Sequence, residues 1–192
     1  WGTYQGNSEL KPEKSVNRRV AATYAFNETH VSASYQYSHI EDLIDWVNDN
    51  NSNQPQNLDK VLVRTATIEI QHLWSGQLSS DISYAWNDTT DLTTHNILQR
   101  QSPRSIKLGT DYQASDYSIG GLVRYRSDSY DDATNDTDLA AFAVVDIYAD
   151  YDVNNDFAVA LRINNALDRE YQTVDGYPTN ERTYLVGGEY KF

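Results

Sequence analysis

The strongest restriction on this chain is an apolar–polar alternation with a period of two that recurs nearly from end to end. In the closing stretch "TYLVGGEYKF", Tyr184, Val186, Gly188, Tyr190 and Phe192 share one parity. Thr183, Leu185, Gly187, Glu189 and Lys191 share the other. A two-residue period belongs to strands, because successive side chains point to opposite faces of a sheet. Val16, Val20, Ala22, Tyr24 and Phe26 form one such set, and Val31, Ala33, Tyr35 and Tyr37 the next. Then come Ala66, Ile68, Ile70, His72 and Trp74, followed by Leu78, Ile82, Tyr84 and Trp86. Ile106, Leu108 and Tyr112 precede Tyr117, Ile119, Val123 and Tyr125, with Leu122 out of phase. Val145, Ile147, Tyr151 and Val153, and then Phe157, Val159, Leu161 and Ile163, complete about nine strands.

The connections alternate strictly in length. Short turns are expected around Asn27-Glu28-Thr29, Ser75-Gly76, Ser115-Asp116 and Asn154-Asn155. Long polar loops are expected at "VNDNNSNQPQNLD", "DLTTHNILQRQSPR", "YDDATNDTDLA" and "REYQTVDGYPTNE". A soluble sandwich has no reason to gather every long loop at one end, whereas an outer-membrane barrel has short periplasmic turns and long external loops. Aromatics repeat the division. Tyr24, Phe26, Trp74, Tyr112, Tyr117, Tyr151 and Phe157 stand beside the short turns. Tyr37, Tyr84, Trp86 and Tyr125 stand nearly a strand length away, as two interfacial belts would.

Composition agrees with this architecture. The mean hydropathy of -0.69 and the lack of a run of ~18 apolar residues exclude a membrane helix. They do not exclude a barrel, whose lumen-facing residues keep the average low. A net charge of -13 argues against a nucleic-acid partner. There is no Cys, hence no disulfide or thiol chemistry. A chain without Met that starts at Trp1 reads as a piece of a longer protein. Counted back from a periplasmic Phe192, an odd number of strands puts residues 1–15 in an external loop.

The second face is polar: Glu69, Asp81, Lys107, Asp111, Arg124, Asp146, Asp150, Arg162 and Glu189. Asp111, Asp146, Asp150 and Glu189 could supply an acid/base pair in a barrel enzyme, while pairing with Lys107, Arg124, Arg126 and Arg162 is the simpler account of a polar lumen. No catalytic set and no cofactor is expected. His30, His39, His72 and His95 lack metal-ligand spacing. The cluster Asp128, Asp131, Asp132, Asp136 and Asp138 has alternating carboxylates but no EF-hand pattern, and reads as a solvated loop rather than a calcium site. The sequons at Asn27, Asn87 and Asn135 read as chance matches.

Two stretches carry a family resemblance. "GNSELKPEKS" (Gly6 to Ser15) resembles a "GNPxLKPExS" segment, and Asn165, Ala166, Leu167, Asp168, Arg169, Glu170 and Tyr171 resemble an "N-L-F-D-K-x-Y" signature, both of TonB-dependent outer-membrane receptors. The aromatic usual after "N-L" is replaced here. "YQTVDGY" (Tyr171 to Tyr177) and "EDLIDW" (Glu41 to Trp46) are most similar to the vitamin B12 (cobalamin) branch. The resemblance implies an all-β antiparallel barrel of about 22 strands, closed by an N-terminal plug. Residues 1–192 would be about its last nine strands, without the plug. It implies uptake of a scarce nutrient across the outer membrane of a Gram-negative bacterium, energised by TonB through the plug. The transported ligand would be cobalamin or, alternatively, a ferric siderophore. A barrel enzyme and a soluble β-rich binding module are the rivals from other classes. The expected surroundings are outer-membrane lipid and lipopolysaccharide. Gly187, Tyr190 and Phe192 fit the terminal signal read by the barrel-assembly machinery, although Leu185 stands where a polar residue is usual.

Overall fold

The computed structural model describes residues 6–49 and 52–191. Nine strands form one antiparallel sheet: β1 (Lys14–Phe26), β2 (Thr29–Asp49), β3 (Ser52–Leu73), β4 (Leu78–Asp91), β5 (Arg104–Gln113), β6 (Tyr117–Arg126), β9 (Phe142–Asp152), β10 (Phe157–Asn164) and β13 (Thr183–Tyr190). Each pairs with the next in the chain, in the order β1-β2-β3-β4-β5-β6-β9-β10-β13. Four short strands decorate two of the loops: β7 (Ser129–Tyr130) with β8 (Asp138–Leu139), and β11 (Gln172–Val174) with β12 (Tyr177–Pro178). Among the described residues the sheet does not close, and β1 and β13 are its edges.

The short turns fall where expected, and polar side chains make them. Asn27 takes the left-handed conformation (φ 46) between β1 and β2. Ser75 accepts from the backbone N–H of Gln77 and Leu78 at 3.3 and 3.1 Å. Asn154 accepts from Asp156 and Phe157 N–H, both at 2.9 Å. Such local bonds offer the backbone a turn in place of a continued ladder.

Register tests the reading of the two faces, because directly paired residues of neighbouring strands share a face. Val20 pairs Tyr35, and Tyr35 pairs Ala66. Ile68 pairs Tyr84, Tyr84 pairs Ile106 and Ile106 pairs Tyr125. Val123 pairs Val145, Leu161 pairs Ala149 and Val186. The apolar parity thus holds across all nine strands as one continuous outer face. That face is uncovered: Val20 is 72% exposed, Val186 76% and Trp74 64%. Only Val61, Leu139 and Val144 are buried apolar residues among those described. A sheet with so little core and so wide an apolar face has hydrocarbon, not water, as its solvent.

One expectation is corrected. Residues 47–59 are not a loop: β2 and β3 run past the wall and stay paired through Asp49 and Ser52, so only 50 and 51 lie between them. Polar composition suggested a loop, but the ladder continues through Leu43↔Leu58 and Trp46↔Pro55 although the apolar alternation fades, and no glycine interrupts the segment. The segment from Gly6 to Glu13 lies along this hairpin. Asn57 bonds Lys11 through both ends of its amide, at 2.8 and 3.0 Å, and Glu13 accepts from Ile44 N–H at 2.7 Å. The Gly6-to-Ser15 motif is thereby fixed to the long-loop end. Trp1 to Gln5 lie outside the described residues.

Candidate functional site

The inner face carries a connected polar network rather than a set of free acids. Tyr148 donates a hydrogen bond to Asp111 across β6. Its ring occupies the place where a Cβ on Gly120 would stand, 2.4 Å from the nearest ring atom, so any larger residue at 120 displaces the ring. Arg162 lies over the same ring at 5.6 Å and donates to both oxygens of Asp150, at 2.8 and 3.1 Å. Asp146 pairs with Arg124 and also accepts from Asn165 N–H at 2.9 Å. Each of Asp111, Asp146 and Asp150, the sequence's acid/base candidates, is therefore committed to a separate partner. Glu189 lies on the other side of β10 from Asp150 and two residues nearer the short-turn end, opposite Ala158. Geometry and chemistry here favour a lined channel wall over proton transfer.

The four histidines are dispersed. His72 bonds Thr29 at 2.8 Å and packs edge-on against Trp74, on the outer face. No group of three potential metal ligands occurs among the described residues.

At the other end the long loops brace one another. Gln99 donates to Trp46 C=O at 2.7 Å, tying the 91–104 loop to the β2–β3 hairpin. Asn96 donates to Ala133 C=O at 2.8 Å, Asn135 accepts from Ile97 N–H at 2.8 Å, and Arg100 pairs with Asp131 at 2.7 Å. The hydrogen bond to Asp131 raises the pKa of Arg100 above its usual value, against the burial that lowers it. Two carboxylates of the acidic cluster, Asp131 and Asp132, are held within the loops. Partial burial pushes the Asp132 carboxyl up, but bonds from Thr134, Thr137 and the Asp136 N–H outweigh it, holding the group well below the carboxylate range. A depressed value means that the contribution to loop order is present above the unfolded carboxylate pKa. It is lost only as pH falls through the lowered one. Asn135, matched as a sequon, is a turn residue with φ 63 that joins two loops.

The "N-A-L-D-R" stretch makes the last staple. Asn165 is 4% exposed with φ 51, accepts from Arg169 N–H at 2.8 Å and donates to Asn180 C=O at 3.3 Å. Asp168, with φ 55, accepts from Arg182 N–H at 2.8 Å. These bonds fix both ends of the 169–181 loop. A groove of about 550 Å³ opens between this loop and β8, lined by Leu139, Tyr171 and Pro178 with Asp138, Glu170 and Glu181. Tyr171 stacks on Phe142 at 4.2 Å. The groove is a pre-formed concavity of mixed polarity.

The proposed assembly-signal residues separate by face. Gly187 pairs Ala160 on the inner face, Tyr190 pairs Phe157 on the outer face, and Phe192 lies outside the described residues. Sequence reasoning missed Tyr148 and the loop braces, and named Asn165 only as part of a motif. For Tyr148 the inward parity was available, but its partner lies two strands away. For Asn165 the motif was visible and its left-handed geometry was not.

Comparison with known proteins places these features. The family described as "TonB dependent receptor-like, beta-barrel" matches residues 1–166. A vitamin B12 transporter of Photobacterium profundum is 32% identical, over 97% of this chain and 32% of its own length. A vitamin B12 transporter of Vibrio vulnificus is 26% identical, over 97% and 31%. The chain thus spans about a third of the curated relatives it matches. Among solved structures, a copper transporter superposes with TM-score 0.81 at 19% identity, over 96% of this chain and 32% of that one. The ferric enterobactin receptor of Pseudomonas aeruginosa follows at 0.79 and 15%, over 98% and 32%.

Proposed function

This chain belongs to the TonB-dependent receptor β-barrel family, and from that premise we propose that it is the C-terminal wall of an outer-membrane receptor importing cobalamin. The observation that carries the ligand is the 32% identity, over nearly the whole chain, to a vitamin B12 transporter. The copper and siderophore proteins share the fold at identities of 19% and below, too low to transfer a ligand. The wall sits in the outer membrane of a Gram-negative cell, and its relatives are transporters and receptors rather than enzymes. Ligand would be met by the braced loops and the groove under Tyr171. TonB would act through a plug belonging to the longer protein.

The test is uptake by cells whose only such receptor is the full-length protein. Labelled cyanocobalamin should accumulate, and an uncoupler of the proton gradient should abolish accumulation. Uptake of a ferric siderophore with no cobalamin uptake would replace the ligand and leave the family intact.

The terminus has its own test. Tyr190 continues the short-turn aromatic belt, and Lys191 N–H is held by Asp156 C=O at 2.8 Å. With Gly187 and Phe192 it supplies the signal for the barrel-assembly machinery. Deleting Phe192 should lower surface receptor several-fold while the surviving molecules keep their ligand affinity. Normal surface levels would remove the signal role.

A further inference from the structure

We propose that the groove between β8 and the 169–181 loop is a charge filter, in which the carboxylates of Asp138, Glu170 and Glu181 admit a neutral, carboxamide-fringed ligand and turn away its anionic counterpart. This inference rests on the cobalamin reading above, and concerns how that ligand is told from anionic metal chelates.

Register puts the groove at the inner side of the wall. Tyr171 lines it and stacks on Phe142. Phe142 pairs Arg126 two residues beyond the Arg124–Val144 pair, on the same inward parity. Leu139, 4% exposed, completes an apolar floor. At about 550 Å³ the groove has room for one edge of a macrocycle. The backbone under each of the three carboxylates is pinned. Glu170 lies between Arg169, whose N–H is held by Asn165 at 2.8 Å, and Tyr171, whose C=O accepts from the Thr179 hydroxyl at 2.8 Å. Glu181 lies between Asn180, whose C=O is held by Asn165 at 3.3 Å, and Arg182, whose N–H is held by Asp168 at 2.8 Å. Asp138 sits in β8, paired with Tyr130 of β7. The site is thus built before a ligand arrives, and little ordering is left for binding to supply.

The lining sets four carboxylates against one cation, Arg169. Asp168 is matched by Arg182 at 3.8 Å. Asp138, Glu170 and Glu181 form no ion pair among the described residues. The net charge of -13 offers no compensating field. A concavity lined by one sign of charge focuses its potential on whatever enters. A ferric catecholate chelate carries net negative charge and is repelled there. Cobalamin is neutral overall, and the primary carboxamides around its ring donate N–H groups that carboxylates accept. The Tyr171–Phe142 stack meets the apolar edge of the ring. The same three side chains therefore favour one ligand class and penalise the other, and specificity comes from the repulsive half as much as from the attractive one.

The experiment uses the full-length receptor, purified in detergent and titrated with cyanocobalamin and with its monocarboxylate, in which one peripheral carboxamide is replaced by a carboxylate of nearly the same shape. The neutral ligand should bind roughly tenfold more tightly at low salt, and the ratio should shrink as salt screens the groove. Asp138→Asn with Glu170→Gln and Glu181→Gln should bring the ratio to about one, chiefly by strengthening binding of the monocarboxylate, because each amide keeps an acceptor oxygen for the neutral ligand. Asp116→Asn, at a short turn, should leave the ratio unchanged. Equal affinity of the unaltered receptor for the two ligands would overturn the proposal without any variant. So would a ratio that is indifferent to salt, or one that survives in a triple variant that still binds cyanocobalamin. A receptor that binds cobalamin and fails these tests loses only the filter, whereas one that binds an anionic ferric chelate and no cobalamin overturns both the filter and the ligand reading beneath it.

Discussion

Arginine in place of Ile147 should destabilise the folded, inserted receptor by ~2–4 kcal/mol, the cost of a cation at the bilayer midplane on a barrel's lipid face. Ile147 lies on β9 between Gly121 and Ile163, midway between Tyr151 and the residue that pairs Tyr125. Both strand neighbours point the other way, Asp146 to Arg124 and Tyr148 to Asp111. Val123 is on the same face but two residues from Tyr125, so Val123→Arg should cost less than Ile147→Arg. Arg124→Gln should cost under ~1 kcal/mol, because Arg124 is about half-exposed to the lumen and its ion pair is partly solvated. The measurement is equilibrium folding into bilayers of the full-length protein. Equal losses at Ile147 and Arg124 would contradict the assignment of faces, and equal losses at Ile147 and Val123 would contradict the assignment of depth.

The sequence exposes the wall more readily than the loops, for a physical reason. A strand with lipid on one side and water on the other must alternate, and a one-residue slip would invert every side chain. Parity is therefore written locally, which is why Val16 to Phe192 could be sorted before any pairing was known. The turn at Asn27 and the one at Ser75 are local too, set by side chains that bond their own backbone. The β2–β3 hairpin was misjudged because beyond the membrane neither face faces lipid, so the alternation weakens while the backbone pairing continues. The loop braces are of another kind. Asn96 with Ala133, Arg100 with Asp131 and Gln99 with Trp46 join segments more than thirty residues apart. Nothing in a polar stretch says which distant carbonyl its amide will meet. Tyr148 and Asp111 show the same limit inside the wall. Each is legible as an inward residue, and their union depends on Gly120 leaving room between them. The groove near Tyr171 lies further still from local pattern, since it is assembled from β8 and the 169–181 loop.

Residues 1–192 produced alone should fail to yield a soluble monomer or a closed barrel. The edge strands β1 and β13 leave backbone groups without partners on one side. Alternate residues of an edge strand turn both N–H and C=O outward, which for the thirteen residues of β1 is about half of them. In hydrocarbon each such group costs several kcal/mol, so the two edges together cost on the order of tens of kcal/mol, more than the ~5–15 kcal/mol that stabilises a typical fold. Water is no refuge, because Val20, Val186 and Trp74 would then be exposed with the rest of the outer face. Direct closure is also disfavoured. With nine antiparallel strands, β1 and β13 run in the same direction, so joining them needs a parallel seam unlike the other eight pairings. The chain should therefore aggregate through its edges, or enter a bilayer only when the remaining strands of the longer protein are supplied. Size-exclusion chromatography without detergent, followed by refolding into vesicles with and without that remainder, separates these outcomes. A monodisperse soluble monomer would contradict the membrane reading as a whole. A stable inserted barrel of this chain alone would show that β1 and β13 can pair in parallel, and would remove the need for further strands.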